Sequence, residues 1–169
     1  PISSAQDIAS LERFEIEKLN YVFKAVEETK KILPATLPLI GFCGSPWTLA
    51  AYSIEGGGSK DFMKTKKFMD ENPGSLKDYL DILSDACFEY LKQQVLSGVN
   101  ALQIFDSWAD LLKPEDLETY SLRYTRKLTR RLKEDPITSH VPIILFEKAP
   151  QKSISDIAFD DLSCVSLHW

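Results

Sequence analysis

The chain has 169 residues, 44% of them hydrophobic and 27% charged, with a formal net charge of −5; this is the size and balance of one ordinary soluble globular domain. The negative balance argues against nonspecific attraction to nucleic acid or membrane, and no apolar run approaches the roughly 20 residues that span a bilayer. Cys43, Cys87 and Cys164 are dispersed and form no CxxC pair, and His140 and His168 are the only histidines, so a zinc site is not expected and the cysteines read as reduced intracellular thiols.

In chain order, residues 11–33 carry Leu11, Phe14, Leu19, Val22, Phe23, Val26 and Ile32 close to helical spacing, stopped by Pro34. The run Pro38-Leu39-Ile40-Gly41-Phe42-Cys43 is short, apolar and flanked by Pro and Gly, which predicts a buried strand. A helix over 47–55 ends at Gly56-Gly57-Gly58, and a second runs over about 60–71. Pro73-Gly74 reads as a turn, and Ser75 three residues before Asp78 as a capping box. The next helix has the stripe Leu76, Tyr79, Leu80, Leu83, Cys87, Tyr90, Leu91, Val95 and stops at Gly98. Val99–Phe105 reads as a second strand. Pro114 fits the first turn of a helix that continues through Leu117, Tyr120, Tyr124, Leu128 and Leu132. Val141–Phe146 is a third strand, Ile154–Phe159 a short helix, and Cys164–Leu167 a fourth strand. Strands alternating with amphipathic helices imply a parallel α/β sheet. Four strands do not close an eight-stranded barrel. The chain starts without Met, and either a removed N-terminal segment or a start inside a longer protein is expected; Pro1 to Asp7 lack the basic and apolar regions expected of a signal peptide.

Three constellations stand at strand or helix ends. Small residues in Gly41-Phe42-Cys43-Gly44-Ser45-Pro46-Trp47-Thr48 let a ligand approach the backbone, or only form a tight strand-to-helix turn. Glu55-Gly56-Gly57-Gly58-Ser59-Lys60 is either an anion-accepting helix start, with Ser59 and Lys60 capping, or a helix-to-helix hinge; it matches neither GxxxxGK[ST] nor GxGxxG. In Gln103-Ile104-Phe105-Asp106-Ser107-Trp108, Asp106 is a base, a cap or a salt-bridge partner, and Ser107 a donor to a carboxylate; no GxSxG elbow surrounds Ser107. Arg123, Arg126, Lys127, Arg130 and Arg131 read as a solvated helix face.

The segment PLIGFCGSPWTLAAYSIEGGGSK (residues 38–60), the stretch YLKQQVLSGVNALQIFDSW and within it QIFDSW (103–108) resemble the uroporphyrinogen decarboxylase family. The resemblance covers nearly the whole chain and weakens after Pro136. It implies a homodimeric (β/α)8 TIM barrel, of which 1–169 would be a single incomplete domain with about four parallel strands and outer helices. It also implies decarboxylation of the four acetate side chains of uroporphyrinogen III to coproporphyrinogen III, without metal, coenzyme or other cofactor, with neither nucleic acid nor membrane as a partner. A cytoplasmic location, or a plastid in an organism that has one, would follow.

Three family positions map onto Phe42, lining the substrate pocket, Tyr52, whose hydroxyl contacts substrate near the reacting acetate, and Ser107, which hydrogen-bonds a substrate carboxylate. All three are expected to converge at the C-terminal ends of the strands. The family's central aspartate and its carboxylate-holding arginines fall before these residues, and a site histidine after them, so this segment alone is expected to be inactive. Phe146-Glu147-Lys148-Ala149 lacks the family's glycine after lysine, and His168-Trp169 stands in place of an Asp-Trp pair. Competing readings are a truncated non-catalytic homologue kept as a binding module, and a corrinoid-linked methyltransferase of the same superfamily, for which the His and Cys spacing of a zinc thiolate site is missing.

Overall fold

In the computed structural model, which describes residues 1–148 and 157–167, four strands lie side by side in chain order. β1 spans Ile40–Gly44, β2 Ala101–Asp106, β3 Ile143–Glu147 and β4 Cys164–Leu167, close to the four expected runs. Every pairing is parallel: Phe42 lies opposite Gln103, Phe105 opposite Phe146, and Phe146 opposite Ser166. The helices are α1 (Ala5–Ala9), α2 (Asn20–Ile32), α3 (Pro46–Glu55), α4 (Met63–Glu71), α5 (Pro73–Leu96), α6 (Pro114–Leu117) and α7 (Arg123–Glu134). A parallel pair needs a crossover connection, and here helices supply each crossover from β1 to β3. The result is an α/β fold, part of a barrel.

Alternation along the strands separates two faces. Cys43, Leu102, Ile104, Ile143 and Leu145 are buried beneath α5 and α7, together with Cys87, Phe88, Leu91, Leu128 and Leu132. A second cluster joins Trp47, Ala50 and Ile54 of α3 to Phe68, Leu76, Tyr79, Leu80, Tyr120 and Leu122. Residues of the opposite parity, Phe42 among them, form the other, inner face, where Phe42 is 59% exposed.

Local details differ from expectation at four places. Leu11 and Phe14 lie outside any helix and are partly exposed; a 3-10 turn over Ile16–Leu19 leads into α2, whose only buried side chain is Phe23. The expected capping box at Ser75 does not form, because α5 already starts at Pro73, where proline's missing N–H costs nothing. The expected continuous helix after Pro114 is interrupted by a π turn over Glu118–Leu122. Tyr120, Ser121 and Leu122 are all buried, a run of three that a regular amphipathic helix does not bury on one stripe. The basic cluster is also more than a solvated face: Lys127 pairs with Asp81, and Arg131 with Asp85 at 2.7 Å and Glu89 at 3.4 Å. The Arg131 guanidinium stacks 3.8 Å from the Phe88 ring centre. The expected 154–159 helix falls largely outside the described residues, as do His168 and Trp169. Among the described residues no helix is long and apolar enough to cross a membrane.

These contacts rank the contributions to stability. Leu91 of α5 is fully buried, so Leu91→Ala is expected to cost about 2–5 kcal/mol. Lys127→Ala removes an exposed ion pair and is expected to cost less than about 1 kcal/mol. Urea titration of the two variants against the unsubstituted chain checks the order.

Candidate functional site

The inner face carries an aromatic ladder. Phe42 of β1 meets Phe105 of β2 edge-on, with centroids 5.8 Å apart and an interplanar angle of 88°. Phe105 in turn lies 5.7 Å from Phe146 of β3. Parallel register produces this: Phe42 lies opposite Gln103, two residues before Phe105, and Phe105 lies opposite Phe146. Edge-to-face packing aims the electropositive ring edge at a neighbouring π face. Sequence reasoning singled out Phe42 but missed Phe105 and Phe146. The signal was the period of two, which puts them on Phe42's face once strand register is known.

Tyr52 sits one turn before the end of α3 and is 38% exposed. Its ring packs against Trp108 at 5.8 Å and Phe62 at 6.1 Å, and Phe62 and Trp108 are 4.5 Å apart. Trp108 is the residue after Ser107, and its carbonyl accepts the Trp47 indole N–H at 2.8 Å. Tyr52 and Ser107 are therefore joined through Trp108, and Ser107 stands two residues beyond Phe105 of the Phe42 ladder. Phe62 is wholly buried and holds a left-handed backbone, φ 48°, an uncommon state for a non-glycine residue that its packing must sustain.

The glycine triplet forms the turn between α3 and α4. Gly56 ends α3 with φ 88°, and Gly57 follows at φ 146°. The anion-accepting alternative is overturned, since Glu55 itself occupies the start of α4: its Oε2 accepts the Thr65 N–H at 3.1 Å and the Thr65 hydroxyl at 3.2 Å. Ser59 accepts the Phe62 N–H at 3.3 Å, and neither Ser59 nor Lys60 caps α4.

Asp106 ends β2 pointing away from the inner face, into the helix layer. It is fully buried. Its Oδ1 accepts the hydroxyls of Ser45 at 2.8 Å and Thr48 at 3.1 Å, and its Oδ2 accepts that of Ser121. Ser45 simultaneously accepts the Thr48 N–H at 3.0 Å as N-cap of α3. Burial raises the Asp106 carboxyl above its ordinary range, against the pull of the three hydroxyls. Neither the base nor the cap reading describes this residue; it is a hydrogen-bond hub. Its register partner Glu147 is also buried, and among the described residues neither Glu147 oxygen has a hydrogen-bond partner. Burial, followed by the neighbouring Asp106 charge, pushes Glu147 from 4.5 to about 9. Among the described residues no group of three or more His, Cys, Asp or Glu is placed to hold a metal ion.

Glu147 gives a pH dependence with a definite sign. A carboxyl whose folded pKa is raised binds its proton more tightly in the folded state. Its contribution is full below about 4.5 and is lost as pH rises towards about 9. Stability is expected to fall by up to about 1.4 kcal/mol per pH unit across that window. Glu147→Gln, isosteric with the protonated form, is expected to flatten the decline, as measured by urea unfolding from pH 5 to 9.

Comparison with known proteins adds identity to this geometry. The profile of the uroporphyrinogen decarboxylase (URO-D) family matches residues 1–169. A uroporphyrinogen decarboxylase of Hydrogenovibrio crunogenus is 40% identical over 170 aligned positions, covering 100% of this chain and 48% of the relative. One from Helicobacter pylori is 44% identical over 150 positions, covering 87% of the chain and 44% of the relative. The chain thus spans about half the length of the curated relatives it matches. Among solved structures, a methyltransferase from Methanosarcina mazei superposes with a TM-score of 0.59 at 20% identity, covering 76% of this chain and 35% of that one; this is a likeness of fold. A family match over every residue, with relatives 40–44% identical over 87–100% of the chain, leads to one conclusion: the chain belongs to the uroporphyrinogen decarboxylase family.

Proposed function

We propose that this chain supplies one wall of a site that decarboxylates the acetate side chains of uroporphyrinogen III, giving coproporphyrinogen III and carbon dioxide. Family membership across all 169 residues carries the reading, and the aromatic row of Phe42, Phe105 and Phe146 on the inner face supports it. In each step the bond between the acetate methylene and its carboxylate carbon breaks, and the electron pair passes into a pyrrole ring already protonated at carbon. A proton then adds to the methylene, making a methyl group, and loss of the ring proton restores the pyrrole. The substrate is its own electron sink, so the protein's task is to place the ring, move protons and balance charge.

Phe42, Phe105 and Phe146 would pack on the macrocycle and exclude water. The Tyr52 hydroxyl would donate to the reacting acetate, and the Ser107 hydroxyl to another carboxylate. Ile40, Phe42, Gln103, Phe105, Ile144 and Phe146 on this face bring no positive charge. Cations for a polycarboxylate must come from outside it, since burying an uncompensated charge is costly.

Anaerobic incubation with uroporphyrinogen III, followed by chromatography for coproporphyrinogen III, tests the reading. Residues 1–169 alone are expected to give no product, whereas a chain extended to the family's full length is expected to turn over. Failure of the extended chain, with its fold verified, would sink the proposal. In that extended protein Tyr52→Phe deletes one hydrogen bond to a charged group, worth about 1.5–3 kcal/mol. Turnover is expected to drop about ten- to a hundredfold if the bond is felt in the transition state. An unchanged rate would remove Tyr52 from the mechanism.

A further inference from the structure

Phe42 is held from behind. In a parallel ladder, alternate residues turn both peptide groups to the same neighbour. The Ser45 N–H donates to the Phe105 carbonyl at 2.8 Å, which puts residues 41, 43 and 45 on the β2 side and turns the peptide groups of Phe42 to the outer edge of β1. There the side chain of Gln94, from the last turn of α5, makes both bonds. Its Oε1 accepts the Phe42 N–H at 3.0 Å, and its Nε2 donates to the Phe42 carbonyl at 3.0 Å. Gln94 is only 3% exposed. Its carboxamide thus meets both peptide groups of Phe42 on the side of β1 away from β2.

Gly41 makes the approach possible. A Cβ at Gly41 would lie 2.7 Å from the Gln94 Oε1 and 3.1 Å from Val99 Cγ2, so a side chain there would displace the carboxamide. Only glutamine fits the requirement as a whole. Glutamate would face the Phe42 carbonyl with a charged acceptor, asparagine is one methylene short, and methionine fills the space without either bond.

We propose that Gln94 is a positioning residue for Phe42: its two-point clamp on the Phe42 backbone sets the direction in which that ring projects into the substrate pocket. The pocket part of this statement rests on the decarboxylase reading above; the clamp does not. Two measurements keep them apart. The first is amide hydrogen exchange, read by NMR on residues 1–169, at Phe42 and at Cys43, whose N–H faces β2. In Gln94→Met the Phe42 amide is expected to exchange at least about tenfold faster while Cys43 is unchanged. In Gln94→Glu protection is expected to return as the pH is lowered and the carboxyl becomes a donor as well as an acceptor. Equal loosening at both amides, or no change at Phe42, overturns the clamp.

The second measurement is steady-state kinetics with uroporphyrinogen III in the chain extended to full family length. Gln94→Met is expected to lower kcat/KM by about tenfold, chiefly through KM, because the Phe42 contact is made to the ring in ground and transition states alike. Turnover by the unsubstituted protein with identical constants in Gln94→Met overturns the positioning role. No turnover by the unsubstituted protein rejects the decarboxylase reading and with it the pocket part of the proposal, and leaves the clamp to the exchange result.

Discussion

A buried carboxyl at the end of β2 ties together the parts of this structure that would otherwise be independent. Asp106 receives hydroxyls from the start of α3 and from the π turn. One side chain therefore fixes where the chain leaves β1, where it leaves β2 and how the helix after it lies on the sheet. Burying a carboxyl is costly, and three hydroxyl donors offset that cost while prescribing direction. The candidate residues depend on this arrangement. Tyr52 lies on the helix that Ser45 caps, and Ser107 is the residue next to the hub.

The same sheet does different work on its two sides. Outward, Cys43 and branched aliphatic side chains pack against α5 and α7. Inward, phenylalanines stand edge to face with little above Phe42. This inner row is aromatic and carries no charge, whereas the outer side is closed by helices.

The strands were legible because each is a compact apolar run bounded by Pro, Gly or polar residues, and the family resemblance rested on long motifs around Phe42 and Ser107. Other features were hidden for physical reasons. A fully apolar strand does not announce which face a residue joins, so Phe105 and Phe146 went unnoticed until register was fixed. The helix at Ser75 offered a plausible cap, but Pro73 is equally suited to a first turn and lies earlier. Glu55 was read beside the glycines rather than as an intramolecular anion, since its partner Thr65 is ten residues away. Gln94 did leave a trace: it sits seven residues after Cys87 and three after Leu91, on the buried stripe of α5, where a polar side chain has to find a partner.

The π turn has a consequence for how this helix tolerates change. One residue of an α-helix corresponds to about 100° of rotation about its axis, so the extra residue accommodated at Glu118–Leu122 decouples the angular phase of α6 from that of α7. Leu117 belongs to the cluster around Trp47, while Leu128 and Leu132 belong to the cluster beneath the sheet. Tyr124 at the start of α7 also joins the cluster around Trp47, so the wide turn sets the phase at which this helix meets both clusters. Within the turn, chain length is therefore more tightly constrained than residue type. A one-residue deletion would keep every side-chain class in the segment and still swing one anchorage out of the core.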